Sequence, residues 1–513
     1  MEYIGEHLLI GKVGNVFVIL SFIFALVASI SYFFSAKDNE EAVSWKGIAR
    51  NAFRIHALSV IGIVATLFIM LMNHYFEYEY VWHHSNREMP MRYILSCFWE
   101  GQEGSFLLWT FWHVVLGLIL QYTSKNWEAP VMATVSLVQV FLASMLLGIF
   151  VFGHKIGSNP FTVLLREHPD FANIPLFKDP HYLQNPKFDG RGLNPLLQNY
   201  WMTIHPPTLF LGFALTVIPF AYAIAGLWKK KYNEWIKPAL PWAFFGVMVL
   251  GTGVLMGGAW AYEALSFGGF WAWDPVENAS LVPWLTLVGA AHVMLINKNN
   301  GQSLLLSFIL AILTFILILY STFLTRSGIL GETSVHAFTD LGMSGQLLIY
   351  LLSFLVLGII LIAVNWKNFP KQKQEEEVWS REFWMFVGAI VLLVSSFQIM
   401  FYTSLPVWNK LFSMNKAPAK DIVNFYNSWQ LPFAFLVTIL IAVGQYFKYK
   451  RTDIKEFARR ITFSFCASII LSAFMVYILN YNKLFYILLM FSSIFAVLAN
   501  ADYLFRVLKG KVR

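Results

Sequence analysis

Two histidines, His205 and His336, bracket the residues of this chain best suited to chemistry, the run Trp260 to Trp284 (WAYEALSFGGFWAWDPVENASLVPW). Trp260, Trp271, Trp273 and Trp284, with Tyr262, Phe267 and Phe270, supply aromatic area, and Asp274, Glu277 and Asn278 are threaded among them. Flat aromatic surface beside a few fixed polar groups is what a large planar cofactor with charged edges requires. The plainer reading is an interfacial aromatic belt, but a belt has no need of the threaded acids and amide. Gly268 and Gly269 allow a tight bend, and Pro275 is placed to open a short helix with Asp274 as its N-cap. His205 lies in IHPPTLF, where Pro206 and Pro207 restrict the chain, and His336 lies in SVHAF. A lone loop histidine is more often solvated than ligating. Two that flank an aromatic shelf on one face suit axial ligation of a single haem iron, one imidazole above the ring and one below.

Two further histidines fall inside apolar runs. His292 is about nine residues into its run, roughly 13 Å deep at 1.5 Å per residue. An ionisable residue at that depth is a candidate functional site, the alternative being a neutral imidazole bonded to a neighbouring helix. His113, near Trp109 and Trp112, reads better as structural.

The elements that must carry these residues follow from composition. The 513 residues are 58% hydrophobic and 13% charged, against roughly 45–50% and about 25% in soluble domains. That excess of apolar surface has only the bilayer to hide in. The expected fold is all-α, a polytopic integral membrane protein of about thirteen transmembrane helices with short interfacial helices on the outer face. The spans are predicted near 13–35, 57–76, 104–122, 130–153, 201–227, 239–260, 281–297, 303–324, 343–365, 382–402, 430–447, 461–480 and 484–505. The first is too long for a signal core and has no basic leader. Three regions organise the chain: N-terminal membrane helices with an outer loop (1–200), a core carrying the tryptophan-rich segment 260–284 (201–342), and C-terminal membrane helices (343–513).

Lysine and arginine cluster after alternate spans: Lys37, Lys46, Arg50 and Arg54; Lys229 to Lys231; Lys367 to Arg381; Lys448 to Arg460; Arg506 to Arg513. The positive-inside rule makes that side cytoplasmic, with the N-terminus outside and His205, the tryptophan-rich run and His336 together on the outer face. The net charge of +8 is accounted for by these loops, without nucleic acid. Cys97 and Cys466 are remote and form no C-x-x-C, so neither a thiol-redox motif nor covalent haem attachment is supported.

The run GGFWAWDPVENAS resembles the tryptophan-rich signature of the haem handling proteins of cytochrome c maturation, and its WDPVENASxxPW form resembles the CcmF branch. Trp99-Glu100-Gly101-Gln102-Glu103-Gly104-Ser105, Gly192-Leu193-Asn194-Pro195-Leu196-Leu197-Gln198-Asn199, His205-Pro206-Pro207, Arg326-Ser327-Gly328 and Ser334-Val335-His336-Ala337-Phe338 are similar to CcmF segments in the same order. The motifs cover about residues 90–340. Tyr200 stands where the family usually has proline.

The resemblance implies a membrane core of the system I haem lyase in the bacterial inner membrane. Such a core takes haem from a CcmE-like chaperone and, with a CcmH-like partner, joins it to an apocytochrome c bearing Cys-x-x-Cys-His. It implies haem b at the tryptophan-rich segment, with His205 and His336 as ligands beside Trp271, Trp273, Asp274, Glu277 and Asn278. It also implies that His292 holds a second, resident b-type haem. The partner of that histidine normally lies in a later AHxG-like helix, and no histidine follows His336 here. Either the chain stops before that helix, as a truncated or split gene would, or the second haem is ligated otherwise or absent. Two rivals are a haem exporter, which would show repeated halves and broken midplane helices, and a respiratory b-type cytochrome subunit, which needs paired buried histidines.

Overall fold

The computed structural model describes residues 3–37, 40–265, 269–331, 334, 342–370, 377–480 and 482–510. The first seven helices are α1 (Leu8–Ser35), α2 (Ala42–Met72), α3 (Glu79–His84), α4 (Met91–Glu100), α5 (Gln102–Thr123), α6 (Glu128–Ser144) and α7 (Leu164–Glu167). Next come α8 (Trp201–Trp228), α9 (Ile236–Ala264), α10 (Pro275–Asn300), α11 (Leu304–Arg326) and α12 (Ser344–Asn365). The last five are α13 (Arg381–Thr403), α14 (Leu405–Phe412), α15 (Ile422–Val443), α16 (Ile454–Leu479) and α17 (Leu484–Leu508). Among the described residues thirteen helices are long and apolar enough to cross a membrane, all but α3, α4, α7 and α14. Each coincides with one of the predicted spans. Only a helix satisfies all its backbone groups internally within hydrocarbon, which is why these apolar runs are helical.

Two predicted edges are corrected. Lys46, Arg50 and Arg54 lie within α2 rather than in a loop, because α2 begins at Ala42. The Glu128 carboxylate, 1% exposed, accepts from Arg50 Nε and Nη2 at 2.6 Å each and faces Lys46 Nζ at 2.9 Å. That pairing lets the basic turns continue the helix. The fourth span ends at Ser144 rather than near 153. Its apolar tail Ile149–Val151 instead pairs antiparallel with His154–Ile156 as a β1–β2 hairpin. Gly148, Gly153 and Gly157 have positive φ, which breaks the helix and turns the chain.

By packing the chain divides into two compact units. The first holds residues 1–277 and 315–366. In it α8 and α9 approach closely through small residues: a Cβ on Gly212 would lie 2.7 Å from Leu250 Cα, and one on Gly253 would lie 2.9 Å from Leu209 Cα. A long connection precedes α8 and is strapped to the segment around α3. Trp82 Nε1 donates to the Asp189 carbonyl at 3.0 Å, and Arg191 N donates to the Trp82 carbonyl at 2.7 Å. The Arg191 guanidinium lies 4.4 Å over the Trp82 ring.

The second unit holds residues 278–314 and 367–513. Ala290, Val293, Leu310 and Ala389 form one buried cluster in it. A second polar seam joins α13 to α15: Ser395 Oγ donates to Gln430 Oε1 at 2.6 Å, and Gln430 Nε2 donates to Gln398 Oε1 at 2.5 Å.

Candidate haem-handling site

His205 is the fifth residue of α8, and its orientation comes from α9. Its Nδ1 is 2.9 Å from the Gly253 carbonyl oxygen. A carbonyl can only accept, so Nδ1 carries the proton and Nε2 is the basic nitrogen. A hydrogen bond of this kind is how ligating histidines are generally held. Gly257, four residues on, completes a G-x-x-x-G seam: a Cβ there would lie 2.9 Å from His205 Cε1 and 3.2 Å from Nε2.

Pro206 sits one residue later inside the helix, where it lacks the N–H that would normally reach the Met202 carbonyl. Trp99 supplies the missing donor, its Nε1 reaching Met202 O at 2.9 Å. Asn199 Oδ1 accepts from Met202 N at 3.1 Å and holds the start of the same helix. Trp260, near the end of α9, donates through Nε1 to the Leu196 carbonyl at 3.2 Å. The separated motifs around Trp99, Asn199 and Trp260 therefore share one mechanical task, the fixing of α8 around His205.

The tryptophan-rich segment reaches the same place. A Cβ on Gly258 would lie 2.4 Å from Phe270 Cε1, so the Phe270 ring rests on the residue next to Gly257. The structure thus brings His205 and this segment to neighbouring residues of α9. Beyond Phe270, Trp273 has φ +58, the left-handed region. That conformation costs a non-glycine residue roughly 1–2 kcal/mol. The N–H groups of Ala272 and Asp274 on either side both point at Glu277 Oε2, at 3.0 and 3.1 Å. Two hydrogen bonds to a carboxylate, each worth about 1.5–3 kcal/mol, offset the strain.

Asp274 Oδ1 in turn accepts from Val276 N at 2.8 Å, and α10 begins at Pro275. Asp274 is the predicted N-cap, and Glu277 returns a bond to its backbone N–H. The predicted shelf differs in one respect. The Trp271 and Trp273 rings stand 6.1 Å apart at 86°, making a corner rather than a continuous plane. The Trp271 indole N–H is buried and has no hydrogen-bond acceptor among the described residues.

Of the remaining predicted site residues, His336 lies outside the described residues, as do Phe267 and Gly268. Ser334, two residues earlier in sequence, donates from Oγ to Asp274 Oδ1 at 2.7 Å. Asn278 is fully buried in the second unit, and its Nδ2 donates to Thr403 Oγ1 at 3.1 Å. His292 is partly buried, with Nδ1 bonded to the Val288 carbonyl of its own helix at 2.8 Å. Because α10 is longer than predicted, His292 stands eight residues, about 12 Å, from the Asn300 end. Sequence reasoning missed Trp99 and Gly257, although Trp99 belongs to a motif it had singled out.

Titration in the short helices α3 and α4 of the first unit is set by burial. Burial, then the Arg191 guanidinium and His84, hold His83 below the usual histidine value, and Glu79 acts in the opposite sense. Burial, with the Glu100 carboxylate, pushes the Cys97 thiol up to about 12.

The fold is that of a polytopic membrane protein, and residues 99–330 match the family described as Cytochrome C assembly protein. The chain is similar to proteins of the CcmF type. It is 29% identical over 453 residues to the cytochrome c-type biogenesis protein CcmF of Pseudomonas fluorescens, covering 87% of this chain and 64% of that one. It is 30% identical over 457 residues to CcmF of Haemophilus influenzae, covering 86% and 64%. The CycK protein of Bradyrhizobium diazoefficiens is 29% identical over 91% of this chain and 66% of its own length. The chain therefore spans less than two thirds of the length of these relatives, 64–66%. A solved structure titled Cytochrome c Heme Lyase CcmF shares the fold with a TM-score of 0.71 and 22% identity, covering 98% of this chain and 72% of that one.

Proposed function

We propose that this chain is the membrane core of a system I cytochrome c haem lyase. In this reading it receives haem from a CcmE-like chaperone and presents it to an apocytochrome c held by a CcmH-like partner. The site faces the outer side of the bacterial inner membrane, with the N-terminus outside and the C-terminus in the cytoplasm, as the basic loops argue. The observation that carries the reading is the convergence of His205 and the tryptophan-rich segment on Gly257 and Gly258.

The residues suit a haem cargo. His205 offers a basic Nε2 on a ring fixed through Nδ1, as axial ligation requires. The Trp271 face carries the porphyrin, and its buried N–H suits a propionate oxygen. Ser334 is bonded to Asp274, and this supports His336, two residues on, as the opposite ligand. Asp274 and Glu277 build the platform, and Asn278 acts through its own buried packing. The chain supplies positioning rather than proton transfer, and the apocytochrome thiols add to the exposed vinyl groups.

For a resident second haem b, His292 presents one imidazole, and no other histidine lies in the second unit. No second imidazole joins His292 within those residues, and no step is assigned to such a haem.

Absorption and electron paramagnetic resonance spectra of the haem-loaded protein test the site. A low-spin six-coordinate spectrum is expected, converted by His205→Ala or His336→Ala to a high-spin form that imidazole restores. Unchanged spectra in both variants would remove the ligand assignment.

A further inference from the structure

Midway along α5, in the first unit, four buried side chains carry polar atoms with no hydrogen-bond partner among the described residues: Trp109 Nε1, His113 Nε2, Gln139 Oε1 and the Tyr350 hydroxyl. All four residues are at most 1% exposed. They belong to three adjoining helices. The Trp109 ring centroid is 5.7 Å from that of His113 and 6.5 Å from that of Tyr350. Gln139 of α6 reaches α5 beside them, its Nε2 donating to the Thr110 carbonyl at 3.1 Å. Tyr350 of α12 stacks at 5.0 Å on Phe141, two residues from Gln139.

The chemistry of the four atoms is complementary but not mutual. His113 Nδ1 lies 2.9 Å from the Trp109 carbonyl, so it carries the proton and Nε2 can only accept. Gln139 Oε1 also only accepts, the Trp109 indole only donates, and the Tyr350 hydroxyl does either. Polar groups sealed inside a protein are paired with protein or with ordered water. At the middle of a membrane-spanning helix no bulk solvent is at hand. An ion would satisfy groups of one sign only, and an apolar occupant would satisfy none. A molecule that accepts from Trp109 and Tyr350 and donates to His113 and Gln139 matches all four, and buried waters ordinarily make two to four such bonds.

We infer that α5, α6 and α12 enclose a built hydration site, in which His113 and Gln139 are the acceptors that hold one or two water molecules near mid-membrane. The site is separate from the haem-handling residues and does not depend on their assignment.

Synchrotron radiolytic footprinting of the intact chain in nanodiscs, in ¹⁸O-labelled water, tests it, because hydroxyl radicals born from a trapped water oxidise the side chains that touch it. Tyr222 is the internal control, equally buried but with its hydroxyl bonded to Ser124 Oγ at 3.0 Å. Trp109 and Tyr350 are expected to be oxidised several-fold faster than Tyr222. Gln139→Leu and His113→Leu should each bring Trp109 down to the Tyr222 rate. Tyr350→Phe, which removes a single hydroxyl, does the same more gently should the others fail to insert. Protection of Trp109 and Tyr350 equal to that of Tyr222, or rapid labelling that persists in all three variants, overturns the proposal.

Discussion

Glu277 accepts the backbone N–H of Asp274 at 3.1 Å while Asp274 caps the helix that contains Glu277. These two acids of the tryptophan-rich segment are thereby committed to its architecture. They set where the indoles stand.

Substitution should follow that division of labour. Asp274→Asn and Glu277→Gln keep a capping acceptor and are expected to retain haem and fold normally. Asp274→Ala loses the cap, at about 1 kcal/mol, and releases Ser334 as well. Haem retention and thermal midpoint, measured together on the purified variants, separate these cases. A defect in Asp274→Asn as deep as in Asp274→Ala would show that charge, not capping, is what matters.

Gly257→Ala places a methyl group 2.9 Å from His205 Cε1, closer than side chains normally approach. The imidazole must rotate off the Gly253 carbonyl or α8 must retreat. Haem affinity should fall while membrane insertion, followed by a reporter fusion, stays normal. Wild-type affinity would mean that the ring has slack the close packing hides.

Glu128→Gln should weaken the first unit, because three hydrogen-bonding partners lose a carboxylate. Hydrogen bonds to charged groups contribute on the order of 1.5–3 kcal/mol each where buried. Arg50 is 41% exposed, so the lower end of that range applies. A denaturant midpoint in mild detergent measures the loss. Arg50→Met should recover little of it, since Lys46 still faces the vacancy.

His83 gives the short helix α3 and its surroundings a pH dependence. Its folded value lies below the ordinary value of about 6.5, so the folded segment binds fewer protons than the unfolded one across the interval between them. Stability is complete above pH of about 6.5 and declines as pH falls through that interval. Hydrogen exchange over residues 78–90 should quicken from pH 7.5 to 5.5, and His83→Asn should flatten the response.

Cys97, with its thiol raised to about 12 and buried 3.3 Å from Met89 Sδ, is expected to resist maleimide at neutral pH. In a Cys466→Ser background, labelling should appear only after denaturation. Mass spectrometry of the intact chain reads the outcome directly.

Legibility in the sequence tracked how local each cause was. Thirteen apolar runs announced thirteen helices, since a run long enough to span alone satisfies its backbone within itself only as a helix. The cap at Asp274 was also readable, because its partners lie within three residues. Arg50 inside α2 was not, because Glu128, which permits it, is 78 positions away. The repair of the Pro206 gap by Trp99 spans 103 positions and depends on helices meeting in space. The strand at Ile149–Val151 was hidden for a different reason: a short apolar stretch reads alike as the end of a span and as a hairpin.

The left-handed turn at Trp273 has a kinetic side. With both neighbouring amides locked on one carboxylate, the two indoles are presented in a fixed posture before any guest arrives. Ordering is completed when the chain folds and need not be repeated at each encounter.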